Sequence, residues 1–367
     1  MYSESFLKNV FNEFETGIVP TGFELCTIGH INTTFFVYWG KEFKYVLQKI
    51  NTNIFTKPDE LMENILNVTG FIRNIIIAEG GDPKREVLNL IPTRSGKYSL
   101  TDDEGGVWRL YDAITDAQTY QSAEITGLFY SSAYAFGRFQ RQLADFPAKK
   151  LHETIVDFHN TVKRLETFEK AVDGNIAHRR YKVKPEIDFI LEHKELCSYI
   201  VDRISSGEYP LRVTHNDTKL NNVMIDNQTH KALCVIDLDT VMPGSVLYDF
   251  GDSIRFGASS ATEDEHEIDK VYMKLDLFEE YLDGFLCGLD NALTVDEVKG
   301  LPYGAMVITF ETGIRFLTDY LNGDTYFATH YEDQNLYRTR TQLKLVADML
   351  AKQSQMDQII QKKLEVM

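Results

Sequence analysis

Val213-Thr-His-Asn-Asp-Thr-Lys-Leu-Asn-Asn222, followed by the apolar run Ala232-Leu-Cys-Val-Ile236 and then Asp237-Leu-Asp239, decides the reading of this chain. It sets His215, Asp217, Lys219 and Asn222 in a His-x-Asp-x-Lys-x-x-Asn spacing. Leu211–Thr214 reads as a strand, which leaves Asp217 on the loop after it. Val223–Asp226 and Lys231–Ile236 read as a hairpin turning over Asn227–His230, a topology expected to return Asp237 toward Asn222.

The residue types suit phosphoryl transfer, in which the protein mostly positions groups and stabilises charge. An acceptor hydroxyl needs a carboxylate within hydrogen-bond reach to take its proton, and Asp217 fits that role. Asn222 offers a neutral oxygen and Asp237 a hard anionic one, a donor pair suited to Mg2+. Lys219 is expected to reach toward the transferring phosphate.

Upstream, Gly22–Cys26, Thr33–Trp39 and Lys44–Ile50 are β-branched and aromatic runs broken by turns at Gly29-His30 and Gly40-Lys41. Lys97–Leu100 and Val107–Tyr111 form another hairpin pattern across Asp102–Gly106, and Leu61, Ile65, Val68 and Phe71 fall at helical spacing. From Gln121 the period changes. Ile125, Leu128, Phe129, Phe136, Phe139 and Leu143 predict a helix; so do Ile155 to Phe168, then Ile187 to Ile204, then the tail beyond Thr341. The expectation is an α+β, two-lobed chain: an antiparallel-sheet lobe over 1–115 and a mainly helical lobe over 116–367. Lys362-Lys363 reads as a solvated, fraying end.

Composition bounds the partners. Of 367 residues, 43% are apolar and 25% charged, as in an ordinary globular enzyme. With 55 acidic against 38 basic residues the formal charge is −17, which argues against a nucleic-acid-binding surface. No run approaches the roughly 20 apolar residues that span a bilayer, and Met1–Lys8 carries acid where a secretion signal needs base, so no membrane association is expected and the cytoplasm is the expected location. Cys26, Cys197, Cys234 and Cys287 are widely spread and read as buried free thiols, and the scattered histidines suggest no metal cluster. The oligomeric state stays open, a monomer being compatible with the sequence.

His215-x-Asp217-x-Lys219-x-x-Asn222 with Ile236-Asp237-Leu-Asp239-Thr240 resembles the aminoglycoside phosphotransferase and choline kinase group, cousins of eukaryotic protein kinases. Within that group the chain looks most like the bacterial N-acetylhexosamine 1-kinases. That finer likeness rests on Gly29-His-Ile-Asn-Thr33, Tyr45–Asn51, Leu61-Met-Glu-Asn64, Asp237–Gly244 and Gly313–Tyr320, blocks spread from about residue 22 to about 340. The resemblance implies a protein-kinase-like fold, ATP and Mg2+ as cofactors, and phosphate transfer to the anomeric hydroxyl of N-acetylglucosamine or N-acetylgalactosamine. It also implies Asp217 as base and in contact with the sugar, Asn222 and Asp237 as metal ligands, and Asp239, Arg315 and Tyr326 on the sugar side. Another small alcohol as acceptor, or a non-catalytic nucleotide-binding module, are the alternatives.

The phosphate side departs from the protein-kinase pattern. Thr27–Thr33 contains the single glycine Gly29, so Asn32, Thr33 or Thr34 and backbone N–H groups would have to serve the phosphates. Where the strand lysine is expected stands Gln48, with Lys49 next. Neighbouring strand residues point to opposite faces, so only one of the two can look toward a nucleotide, and a Lys49–Glu63 pair depends on which. Arg315, in an apolar helical run, needs a dedicated partner, either a ligand or Glu311 one turn earlier. Asp249 and Asp252 in Tyr248-Asp-Phe-Gly-Asp252 read as loop-bracing carboxylates.

Overall fold

The computed structural model describes residues 2–27, 31–121 and 127–366. It is the α+β, protein-kinase-like arrangement expected, with an antiparallel sheet early in the chain and helices later. Two compact units emerge: Met1–Thr119 with Asp145–Val156 and Val223–Met242, and Tyr120–Ala144 with Asp157–Asn222 and Pro243–Met367. A single cut after residue 115 therefore does not describe the contacts. Asn64 explains one of the added segments, since it exchanges hydrogen bonds with His152 (Nδ2 to the carbonyl, 2.8 Å; backbone N–H to Oδ1, 2.9 Å).

The first unit opens with α1 (Glu4–Asn12), then β1 (Gly22–Leu25), β2 (Thr33–Trp39), β3 (Glu42–Ile50), α2 (Pro58–Ala78), β4 (Leu100–Thr101), β5 (Val107–Asp112) and β6 (Ala117–Gln118). Five strands form one antiparallel sheet in the order β1-β2-β3-β5-β4. Strand alternation gives that sheet two different faces. Phe35, Val37, Leu47, Trp108 and Leu110 lie on one, packed with Leu7, Val10, Phe11 and Phe14. Helix α1 was not anticipated, although Leu7, Val10 and Phe11 have helical spacing and Ser3 Oγ caps it by accepting from the Phe6 N–H at 3.2 Å. The other face carries the cross-strand row Thr34, Gln48 and Arg109.

A second, three-stranded sheet joins β6 to the predicted hairpin, Val223–Asp226 (β8) and Ala232–Val235 (β9); β7, Arg212–Thr214, belongs to the second unit. Asp226 closes the hairpin turn. Its Oδ1 accepts from the backbone N–H groups of Gln228 and Thr229, at 3.0 and 2.8 Å, and Oδ2 accepts from Arg85 at 3.0 Å. Those bonds, the Thr229 ones first, hold the Asp226 carboxyl down from 3.8 to about 2. A depressed carboxylate contributes stability that is complete above its unfolded pKa and is lost as pH falls through the folded one. We therefore expect the Asp226 contribution to fade between about pH 4 and pH 2, and Asp226→Asn to remove that component of the acid-unfolding curve; identical acid limbs in the two proteins would refute it.

The second unit holds α3 (Leu128–Gln142), α4 (Thr161–Gly174), α5 (Lys184–Glu192), α6 (Tyr199–Ser206), α7 (Val246–Gly257), α8 (Leu275–Leu289), α9 (Val295–Asn322), α10 (Gln334–Ala351) and α11 (Gln353–Leu364). The 28-residue α9 is buried on nearly every side, starts at a Thr294–Glu297 capping box, and passes so close to α7 that a Cβ on Gly251 would sit 2.2 Å from the Gly304 carbonyl oxygen. Three sequence expectations shift here. The helix expected from Ile155 begins only at Thr161, because Asn160 accepts from the Lys163 N–H and caps it. The run from Ile187 to Ile204 is two helices, separated by a 3-10 turn at Lys194–Cys197. Lys363 is not a free end: it bridges Asp283 at 2.7 Å and Glu279 at 3.2 Å on α8. Ile125 lies outside the described residues. Two of the four cysteines, Cys197 and Cys234, are buried; Cys26 is partly covered and Cys287 exposed. Among the described residues no helix is long and apolar enough to cross a membrane.

Candidate active site

In the second unit the loop after β7 is built around two buried carboxylates. Asp249 accepts from the N–H groups of His215 (2.9 Å) and Asn216 (2.7 Å) and from Gln140 Nε2 (2.6 Å), while Asp252 accepts from the Thr218 N–H at 3.0 Å. These are the bracing roles expected of both residues. Asn216 takes a left-handed conformation, φ 65°, which an Asn tolerates and which turns the chain toward Asp217. Burial raises the Asp249 carboxyl above its usual range despite its three donors.

Asp217 itself stays partly open, 25% exposed, and its two oxygens have different partners: Lys219 Nζ at 2.8 Å from Oδ1 and Asn222 Nδ2 at 3.0 Å from Oδ2. Asn222 Nδ2 also donates to the Asp217 carbonyl at 2.8 Å. With Nδ2 committed twice, Oδ1 is the Asn222 atom that a cation would take. Burial would lower the Lys219 pKa, but the charges of Asp217 and Asp252 raise it, so Lys219 is a fixed cation beside the carboxylate. The structure thus brings Asp217, Lys219 and Asn222 together within one unit. Asp237 belongs to the other unit, after β9, with a left-handed backbone at φ 60°.

Strand alternation separates Gln48 from Lys49. Gln48 lies on the open row: its Nε2 donates to Thr34 Oγ1 at 3.0 Å, and its Oε1 accepts from Arg109 Nε and Nη2 at 3.0 and 2.9 Å. Lys49 points to the α1 face, where Nζ donates to the Tyr2 hydroxyl at 2.7 Å and sits 5.8 Å from the Trp108 ring centroid. Thr33, its cross-strand partner, shares that face. Neither Lys49 nor Thr33 therefore stands beside Gln48. Nor does Glu63 meet Lys49; its Oε2 pairs with His152 Nε2 at 3.0 Å, largely exposed. Gly29 lies outside the described residues.

Asp239 lies in the first unit. It is 3% exposed, and both oxygens are taken: Arg109 Nη1 at 2.5 Å from Oδ1, Arg109 Nη2 at 2.9 Å and Asn32 Nδ2 at 2.6 Å from Oδ2. Asn32 is fixed in turn, its Oδ1 accepting from the Asn51 N–H at 3.0 Å. These charge-assisted bonds fix the carboxylate firmly to β5 and to Asn32. Arg109, which the sequence reading missed, carries the cation of this face.

Of the residues expected on the sugar side, Arg315 is 18% exposed and lies over the Phe158 and Phe327 rings, 5.7 and 5.5 Å from their centroids, with Glu311 Oε1 4.0 Å from its Nη1. Its principal neighbours are aromatic, not the acid one turn earlier. Tyr326 is 69% exposed, edge-on to Phe327 at 4.8 Å, with its N–H donated to Asp319 at 2.8 Å. His159, read from sequence as one of the scattered polar histidines, is instead nearly buried against Glu311.

Residues 23–272 match the family described as the phosphotransferase enzyme family. The chain belongs to this family. Solved structures agree in fold. A microcompartment-associated aminopropanol kinase is similar over 97% of this chain and 99% of its own, at 13% identity and a TM-score of 0.66. An aminoglycoside phosphotransferase from Alicyclobacillus acidocaldarius matches over 99% and 97%, at 10% identity and a TM-score of 0.59. An amicoumacin kinase in complex with AMP-PNP, Ca2+ and Ami matches over 94% and 93%, at 14% identity and a TM-score of 0.60. As a member of the phosphotransferase family the chain is an enzyme of phosphoryl transfer. In this phosphotransferase the cation of the sheet comes from β5, one strand over from Gln48, and the period-2 pattern of Trp108-Arg109-Leu110 was the signal that could have found it.

Proposed function

We propose that this phosphotransferase transfers the γ-phosphate of Mg·ATP to the anomeric hydroxyl of an N-acetylhexosamine. Asp217 accepts the hydroxyl proton, and Lys219, held beside it, offsets charge on the transferring phosphate. The Thr34, Gln48 and Arg109 row is the nucleotide-facing part of the sheet. Asn222 and Asp237 would hold Mg2+, an ion that takes one or two protein oxygens and completes its shell with phosphate and water, neutralising charge as the phosphoryl group moves.

One observation supports the acceptor class above the others. Arg164 and Arg315 stand close enough that burial first, and then the charge of Arg315, lower the Arg164 pKa. Two neighbouring guanidinium groups flanked by Phe158, Phe327 and Tyr326 repel a cationic acceptor such as an amino alcohol. They suit a neutral polyol bearing a carbonyl, with aromatic faces against its C–H surface.

The test mixes protein, ATP and Mg2+ with N-acetylglucosamine, N-acetylgalactosamine, other sugars, an aminoglycoside and amino alcohols, and locates the phosphate by phosphorus NMR. The expected product is an anomeric phosphate of a hexosamine. Phosphate on a different hydroxyl, or turnover of amino alcohols alone, would overturn the acceptor while leaving the phosphotransferase.

A further inference from the structure

His159 has one ring nitrogen spoken for and one that is not. Nδ1 lies 3.0 Å from Glu311 Oε1, and Glu311 Oε2 accepts from Thr161 Oγ1 at 2.9 Å. Nε2 is buried and has no hydrogen-bond partner among the described residues. The ring is held in place by Phe158 and Tyr248, with centroids 4.5 and 4.9 Å away.

The proton assignment follows from the partners. Burial would raise the Glu311 carboxyl, yet His159, Arg315 and Arg164 together lower it, so Glu311 is a carboxylate with only acceptors to offer. Nδ1 must then carry a hydrogen, which leaves Nε2 as the ring atom turned to any further partner. An unpaired buried polar atom is destabilising, and such atoms call for an explanation. Glu311 from α9 and Tyr248 from α7 face this imidazole, Thr161 from α4 bonds Glu311, and Arg315 and Arg164 act on Glu311. None of them is bonded to Nε2.

Location narrows the purpose. Tyr248, whose ring centroid is 4.9 Å from the imidazole, precedes Asp249 on α7, and Asp249 holds the His215 and Asn216 N–H groups of the loop that carries Asp217, so the imidazole and that loop are braced by the same helix. The cluster also grades outward, from Glu311 at 1% exposure through His159 at 10% and Arg315 at 18% to Tyr326 at 69%. A ligand entering past Tyr326 and Arg315 would reach Nε2 as the innermost unpaired polar atom.

We propose that His159, oriented by Glu311 and Thr161, makes a hydrogen bond through Nε2 to a second hydroxyl of the bound acceptor and thereby sets acceptor specificity. This rests on the reading of the enzyme as a small-alcohol kinase. Asp217 remains the base; His159 touches the substrate away from the reacting oxygen.

The experiment compares wild type, His159→Gln and His159→Phe on the acceptor that the wild type turns over in the panel above, and on its mono-deoxy analogues. In the wild type one deoxy analogue should lose at least about tenfold in kcat/KM, the worth of one hydrogen bond to a buried partner. In both variants that discrimination should shrink below about twofold, with KM for the acceptor raised and KM for ATP unchanged. Variants that melt with the wild type and keep its full discrimination would overturn the proposal. So would a wild type indifferent to every deoxy analogue. A panel that returns an alcohol other than a hexosamine removes the proposed substrate, while the deoxy series of that alcohol still decides the role of His159.

Discussion

Asp217→Asn is expected to lower kcat by about 10²- to 10⁴-fold, the usual contribution of a positioned general base. The substitution is nearly isosteric, so the consequences separate cleanly. Asn222 Nδ2, now 3.0 Å from Oδ2, still finds an acceptor in the amide oxygen and in the Asp217 carbonyl at 2.8 Å. The loop itself does not depend on this carboxylate, because Asp249 and Asp252 hold the backbone of His215, Asn216 and Thr218. Folding stability should therefore move little for a side chain 25% exposed. What the variant loses is the proton acceptor, together with the anion that faces Lys219 at 2.8 Å. KM for ATP should stay within about twofold, since an interaction made only in the transition state lowers kcat and kcat/KM together. Steady-state kinetics with a melting curve on the same preparation checks this. A variant retaining more than a third of wild-type kcat would remove Asp217 as the base.

The sequence was most legible where several local signals coincided. The strand, loop and hairpin around Asp217 follow from alternation, turn residues and motif spacing, and the boundaries of β2 agree with the expected Thr33–Trp39. Less legible were features fixed by pairings distant along the chain. Whether Gln48 or Lys49 faces outward depends on which side of the sheet α1 covers, and α1 lies far from β3 in sequence. The fate of Asp239 depends on Arg109, 130 residues away, and that of His159 on Glu311, 152 away. Charged residues inside apolar runs signal that a partner exists; they do not say which. For Arg315 the sequence left a ligand or Glu311 open, and Glu311, 4.0 Å away, is shared with His159 and Thr161.

Arg109→Met is expected to destabilise the protein by about 3–5 kcal/mol, among the largest effects available from one substitution in this chain. Arg109 is 1% exposed and Asp239 3%. Burial alone would lower the Arg109 pKa, but Asp239 and neighbouring groups outweigh it, so the guanidinium stays charged in the folded state. Removing it leaves the Asp239 carboxylate buried with Asn32 Nδ2 as its one remaining partner from the trio described, and strips Gln48 Oε1 of both its donors. Asp239→Leu should be costly for the mirror reason, a buried guanidinium without its anion. The double variant, Arg109→Met with Asp239→Leu, removes both charges together, and buried pairs exchanged for apolar groups are often neutral. Its destabilisation should therefore fall below the sum of the two single changes by about 0.5–3 kcal/mol, the range of coupling between contacting residues. Urea unfolding of the four proteins measures this cycle. Additivity within about 0.5 kcal/mol would mean that the pair does not act as a unit and that Asp239 is free for another partner. A recovered stability without recovered activity would instead separate the two roles of Arg109, holding Asp239 in the fold and presenting a cation on the row with Thr34 and Gln48.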